Sequence, residues 1–422
     1  MDFVLLVLVT AVLYIRPAEM IPSLATVPFF EISIILALIV AAPKVAAQFS
    51  AEALARRPIT VCVLGLFAAA KLSSVLNGHI NEFLDTNFAK AITYYLLAVG
   101  VLDTGDRIRR FMAAIAVLLS ILSLLMVGDF HGWLNIPAYT PVYSDGVPRI
   151  CATGLLGDPN DVGINMSMAI VLAVAALTRH GSGWRRVLWV APIYILFTAL
   201  RLTQSRGAVV ALLGGAGMFI IQRLGLIRGT IAAALVLPAL VLGIGGRQAD
   251  ISTSGGTGQG RVQLWAGALD QMRGAAFFIG IGPGHLTDYQ SHVAHNGFVQ
   301  AYSEIGLIGG TLFLGAFWYA GTSIYRLRGR QVRVADPEIR GLIPGAGATL
   351  ACYGAGLMSL SQTFYLLTYV VLAISTAVID LADPRPRPPG MTLDARLASR
   401  ILAVGVAGLV VFKVYVRFAV RW

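Results

Sequence analysis

The stretch SHVAHNGFVQAYSEIGLIGGTLFLGAFWYAGTS, residues 291–323, decides the class of fold. It opens as a short polar segment with two histidines. From residue 297 it becomes an apolar run long enough for a bilayer core, which takes about 20 residues of helix. Similar runs recur at 2–15, 27–42, 58–76, 88–102, 110–127, 161–178, 187–204, 207–222, 229–245, 341–360, 364–382 and 400–417. The 422 residues are 57% hydrophobic and 13% charged, against roughly 25% charged in soluble domains, and the mean hydropathy is +0.76. These features predict an all-α polytopic integral membrane protein with about 12–13 transmembrane helices, whereas a β-barrel would show short alternating segments.

The N-terminal MDFVLLVLVTAVLYIRP lacks a basic leader and a small-residue cleavage site, so it is expected to stay as the first helix. Cys62, Cys151 and Cys352 are too scattered for a disulfide framework or a zinc site. The net charge of +11 could suggest nucleic acid, but its placement argues otherwise. With the N-terminus cytoplasmic, the inner loops are 43–57, 103–110, 179–186, 223–228, 326–340 and 385–400. They hold most of the 32 basic residues, including Arg107, Arg109 and Arg110 and the group Arg326, Arg328, Arg330, Arg333 and Arg340. That is the positive-inside pattern, and it accounts for the surplus charge through topology. The expected organisation is a set of transmembrane helices over 1–127, an outer loop 128–160, central helices over 161–245, a long outer loop 246–296 and C-terminal helices over 297–422. Lys413, Arg417 and Arg421 would fall outside, so whether 400–417 spans the membrane stays open.

In the long outer loop, STSGGTGQG reads as flexible. RVQLWAGALDQM, with Val262, Leu264, Trp265 and Leu269, suits a short amphipathic helix at the membrane surface. GIGPGHL is glycine-rich but lacks a lysine in the Walker position. Three arginines are left unexplained by topology: Arg201 and Arg206 in LRLTQSRGAVV, and Arg261 at the start of the amphipathic segment. Arginines near the apolar zone and away from the cytoplasm are costly and usually have a partner or a function. A guanidinium can hold phosphate oxygens bidentately, as an enzyme acting on a lipid-linked phosphate would need. The plain alternatives are snorkelling for Arg206, a solvated loop charge for Arg261 and an interfacial anchor for Arg201.

A helix starting near His295 would carry Tyr302 and Gly306 on the same face at i+7 and i+11, with Gly309 close by at i+14. Those glycines would admit another helix closely. A histidine at a membrane–water boundary can act as base, acid or donor to phosphate, or it can simply cap the helix. His292 and His285 read as loop residues.

These segments resemble the bacterial O-antigen ligase and O-antigen polymerase family. HNGFVQAYSEIGLIGG resembles its histidine motif, TQSRGAVVALLGG its SRG segment, and GRVQLWAGALDQM…GIGPGH its outer-loop segment. GDPNDVGINMSMAI resembles a looser motif with an asparagine at a helix entrance. Together they cover residues 157–310, in the family's order. The resemblance implies a GT-C-like fold in the bacterial inner membrane. It also implies metal-independent, inverting glycosyltransfer on the periplasmic face, without a cofactor. The donor would be a glycan on undecaprenyl diphosphate, and the acceptor lipid A-core or a growing glycan. His295, Arg206 and Arg261 match the family's catalytic positions: the arginines would hold the diphosphate and the histidine would deprotonate the acceptor. Arg201, Asn160, Tyr302 and Trp265 are candidate substrate-binding residues, although capping accounts equally for Asp158 or Asn160. Ligase and polymerase remain open alternatives. A lipid or polysaccharide transporter is a third, kept alive by Lys71 and Lys90 in apolar segments.

Overall fold

A computed structural model describes residues 1–81, 86–144, 146–179, 183–245, 256–329, 332–383 and 390–420. All thirteen apolar runs are helical. They form α1 (Asp2–Ile15), α2 (Phe29–Ala46), α3 (Pro58–Leu76), α4 (Asn87–Val101), α5 (Gly105–Phe130), α6 (Pro159–Leu177), α7 (Val190–Leu202), α8 (Arg206–Leu224), α9 (Leu226–Ile244), α11 (Gly297–Arg326), α12 (Pro337–Leu357), α13 (Leu366–Ala382) and α14 (Ala395–Ala419). Between α9 and α11 lies α10 (Gly256–Asp270), in the long loop. The described strands are one short antiparallel hairpin, β1 (Val142–Ser144) and β2 (Val147–Arg149).

Among the described residues nine helical stretches are long and apolar enough to cross a membrane, α14 included. The chain is an all-α, multi-pass membrane protein. The count falls below the expected 12–13 because α4, α7 and α13 run only 15, 13 and 17 residues, and α12 is glycine-rich and more polar. Helices suit this solvent because every backbone group is paired within the segment.

The helices align with two distinct ends. At one, Lys44 bridges Asp2 and Asp103 at 2.7 and 2.6 Å, and Arg107 reaches the same two carboxylates at 3.1 and 3.0 Å. Arg109 and Arg179 both pair with Glu338 there. This end therefore gathers Asp2, Lys44, Asp103, Arg107, Arg109, Arg179 and Glu338. The other end gathers the hairpin, the α7–α8 turn, α10 and the segment before α11.

Helix α8 packs between α6 and α12. This packing needs small residues: a Cβ on Gly215 would lie 2.8 Å from both Cys352 Cβ and Val171 Cγ2. Helix α11 is broken rather than straight, since Gly306 sits at φ 71°, ψ −167°, a region open essentially to glycine. The carbonyls released by the break are taken up by loop backbone, with Ile281 N–H donating to Ser303 O at 3.1 Å and Gly282 N–H to Glu304 O at 3.0 Å. Ser73 Oγ of α3 adds a bond to Glu304 O at 3.2 Å. Any Cβ on Gly306 would collide with the Phe278 carbonyl, which seats the loop in the break.

Two expectations are revised in the long loop. Residues 246–255, which hold the first part of the glycine- and serine-rich stretch, lie outside the described residues, but its last part, from Gly256, forms the first turn of α10. Helix-poor glycines are overridden there by packing on α14, to which Gln259 Nε2 donates at Ala419 O (3.3 Å). The apolar face of α10, with Val262, Trp265 and Leu269 buried, is covered by protein: Trp265 packs against Phe412 and Tyr415 of α14.

Candidate active site

The site grows from three helix N-termini. Asp158 caps α6, its carboxylate accepting from the Asn160 N–H at 2.6 Å. Ser205 caps α8, its Oγ accepting from the Ala208 N–H at 3.3 Å. Asn296, fully buried, caps α11 through the Phe298 and Val299 N–H groups at 3.0 and 3.1 Å. Each N-terminus carries about half a positive charge and favours anions.

The SRG segment has a local reading. Ser205 is the cap, Arg206 the first helical residue, and Gly207 the point where α8 meets the chain after α12. There a Cβ would collide with Ser359 Oγ and lie 2.8 Å from Ser359 Cβ. Asn160 ties α6 to α8: its Oδ1 accepts from Ser205 Oγ at 2.8 Å and from Arg149 Nη2 at 3.0 Å, and its Nδ2 donates to Asp158 at 2.8 Å. Capping thus belongs to Asp158, while the Asn160 amide links neighbouring side chains.

Arg149, at the end of β2, also donates from Nε to Thr203 O at 2.7 Å, and Ile150 N–H bonds Leu202 O at 3.2 Å, so the hairpin is stapled to the α7–α8 turn. Arg149, Arg206, Arg261 and His295 are each half-buried. Burial holds the Arg261 guanidinium below its usual pKa; Arg149 and Arg206 push the same way, and Asp158 opposes them. Burial likewise lowers the His295 pKa, reinforced by Arg261 and His292 and opposed by Asp158. Arg261 therefore lies within electrostatic reach of Arg149, Arg206 and Asp158, and His295 within reach of Arg261 and Asp158. Arg261 thus feels two further guanidiniums and one carboxylate, a local positive excess suited to an anion with several oxygens. The imidazole is left neutral near pH 7, able to accept a proton.

His295 is not part of the helix, as the spacing suggested; it precedes the Asn296 cap and has φ 48°, a left-handed backbone. That conformation, tolerated in histidine more than in most residues, breaks the phase that would have stacked it over Tyr302. Tyr302 is instead fully buried, its hydroxyl donating to Gly405 O of α14 at 2.6 Å. Trp265 is occupied by its packing on α14, and Arg201 is exposed at the end of α7. His292 is exposed beside Ser291, and His285 lies elsewhere, stacked on His79 with ring centroids 3.4 Å apart. The residue that sequence reasoning missed is Arg149. It lies in the outer loop 128–160 and satisfies the same criterion that singled out Arg206 and Arg261. The Asp-Gly pair at 145–146, a hairpin signal, marked its setting.

A family model described as O-antigen ligase matches residues 191–314, which takes in Arg206, Arg261 and His295 and leaves Arg149 and Asn160 outside. An O-antigen polymerase of Salmonella muenchen is 25% identical over 249 residues, 52% of this chain. The match spans 60% of that protein's length. The two comparisons agree with the motifs at residues 157–310: the chain is a multi-pass membrane protein whose residues 191–314 are similar to the O-antigen ligase family and which resembles, at a distance, an O-antigen polymerase.

Proposed function

We propose that the chain is an inverting glycosyltransferase that moves a glycan from undecaprenyl diphosphate to an acceptor hydroxyl. On this reading the end bearing the arginines faces the periplasm and the basic loops face the cytoplasm, in the bacterial inner membrane. What supports it is that Arg261 lies within electrostatic reach of both Arg206 and His295, three residues from separate elements, two of them at helix N-termini.

The chemistry follows from that grouping. The acceptor oxygen attacks the anomeric carbon as the bond from that carbon to the diphosphate oxygen breaks, and a single displacement inverts the centre. The electron pair leaves with undecaprenyl diphosphate, whose developing charge Arg206, Arg261 and Arg149 stabilise. The acceptor proton passes to neutral His295. Fixed guanidiniums fill the role a divalent cation has in other transfers to and from diphosphates, so the reaction is expected to need no metal.

Two acceptors fit. With lipid A-core as acceptor the enzyme is a ligase, as the matching family is described; with a second lipid-linked glycan it is a polymerase, as the Salmonella protein is named. Purified protein would be given undecaprenyl-diphosphate-linked glycan with and without lipid A-core, beside Arg206→Ala and His295→Ala. Product only with lipid A-core assigns a ligase, and a ladder without it a polymerase. Donor that is never consumed, or variants with full activity, would overturn the reading in favour of transport.

A further inference from the structure

Beside the arginine cluster lies a separate cavity. It has a volume of about 910 Å³, at the upper end of the 300–1,000 Å³ typical of small-ligand pockets. It is enclosed by α1, α2, α3 and α4, the stretch just before α6, the loop 283–288 and the entry to α13.

Its charged lining sets Arg16, Lys71 and Lys90 beside Glu19, Glu31 and Asp288. Arg16 is paired with Glu19, Lys90 with Glu31 at 2.7 Å, and His285 Nδ1 with Asp288 at 2.7 Å. Formal charge is close to balanced, unlike the arginine cluster, so a phosphate gains little here. Paired charges instead offer fixed donors beside fixed acceptors, which matches hydroxyl groups, since each hydroxyl both gives and takes a hydrogen bond. Between the pairs stand aromatic side chains, Phe88, Phe364 and Tyr365. Such faces suit the C–H surface of a sugar ring.

The wall is also closely packed where α1 ends, with Arg16 at the left-handed C-cap of that helix. Arg16 has φ 50° and Gly154 φ 57°, and a Cβ on Gly154 would collide with the Arg16 guanidinium, so that group lies flat on the loop backbone. A non-glycine residue held in the left-handed region is a feature that clusters at binding sites. Gly154 and Leu155 line the cavity and lead directly to Asp158, which faces Arg261 and His295. The two compartments therefore share the segment 154–158.

We infer that this cavity is the saccharide site for the acceptor: a neutral, polyhydroxyl glycan end lies between the charge pairs and the aromatic faces and presents its hydroxyl across the segment 154–158 to His295. The acceptor role rests on the glycosyltransferase reading; the saccharide site itself does not.

The test uses the full chain in nanodiscs, with Glu31→Gln, which removes a carboxylate acceptor, and Tyr365→Leu, which removes an aromatic face and leaves an apolar side chain. The probe is the lipid-free oligosaccharide released from the acceptor by mild acid, titrated at equilibrium. Wild type is expected to bind it saturably, and Glu31→Gln about tenfold more weakly, the effect of one hydrogen bond of moderate strength. In transfer assays each variant is expected to raise KM for the acceptor about tenfold while leaving KM for the donor within about twofold. Absence of saturable binding, or equal affinity in wild type and both variants, would overturn the saccharide site. A rise in donor KM matching that of the acceptor would overturn the acceptor assignment. Wild type that moves no glycan yet binds the oligosaccharide through Glu31 leaves the site standing and removes the transfer reading alone.

Discussion

Gly207→Ala is expected to disable the site without touching any group in it. The new methyl would lie 2.8 Å from Ser359 Cβ even after the Ser359 hydroxyl swings aside, where ordinary contact begins at 3.4 Å. Helix α8 must therefore retreat by about 0.6 Å, the gap between those two distances. It cannot move toward α6, because a Cβ on Gly163 of that helix would already lie 2.6 Å from Ala208 Cβ. The displacement falls on the first turn of α8 and carries Arg206 and the Ser205–Asn160 bond with it. A misplacement of about 1 Å can lower a rate about a hundredfold, so a ten- to hundredfold fall in kcat/KM is expected, or about 1.4–2.7 kcal/mol. The assay is release of undecaprenyl diphosphate from the lipid-linked donor in the presence of acceptor. Ser359→Gly removes both colliding atoms and, with them, a local hydrogen bond from Ser359 Oγ to Gly356 O at 2.9 Å. The double variant should recover to within about threefold of Ser359→Gly alone, a coupling expected only of groups in contact. A Gly207→Ala enzyme at the wild-type rate, or a double variant no better than the single, refutes the reasoning.

Other consequences are equally direct. Burial and the Arg261 charge both keep His295 neutral, so activity that needs a neutral imidazole is present above the His295 pKa and is lost as pH falls through it, below the ordinary value of about 6.5. Arg261→Gln removes one of those causes, and the acid limb of the residual activity should move to higher pH; a limb that stays in place would separate His295 from Arg261. Gly306→Ala meets a backbone carbonyl that cannot rotate away and places alanine at φ 71°, a cost of about 1–3 kcal/mol before the collision is counted. Its thermal unfolding temperature in detergent should fall, and an unchanged midpoint would mean that the break is not held as described. Asn160→Ala removes acceptors for Arg149 and Ser205, so donor KM should rise by about tenfold or more, while Asn160→Asp, which keeps an acceptor oxygen, should lose less. Exhaustive treatment with EDTA should leave the transfer rate unchanged; loss restored by a divalent cation would contradict the guanidinium mechanism.

The helices were legible because hydropathy is a local property: each apolar run carries its own signal, and all thirteen became helices. The caps Asp158, Ser205 and Asn296 stand at the starts of their runs and could be read as such. What hydropathy does not encode is phase. The left-handed backbone at His295 and the break at Gly306 each reset the helical periodicity, so Tyr302, placed by spacing beneath His295, went to Gly405 instead. Contacts between distant segments were hidden for a related reason. Arg149 acquires its meaning only when the hairpin is stapled to Leu202 and Thr203, and the cavity draws its lining from seven separate stretches.

The break at Gly306 also bears on how the protein meets its lipid. An unbroken 30-residue helix would be a single lever, and any tilt forced on it by a thicker or thinner bilayer would be transmitted to its tip. Here the upper rod, 297–305, is moored to the loop through Ile281 and Gly282 and to α3 through Ser73, while the lower rod begins anew at 307. The glycine is a joint. A change in tilt of the lower rod is therefore expected to reach His295 less than it would through an unbroken helix.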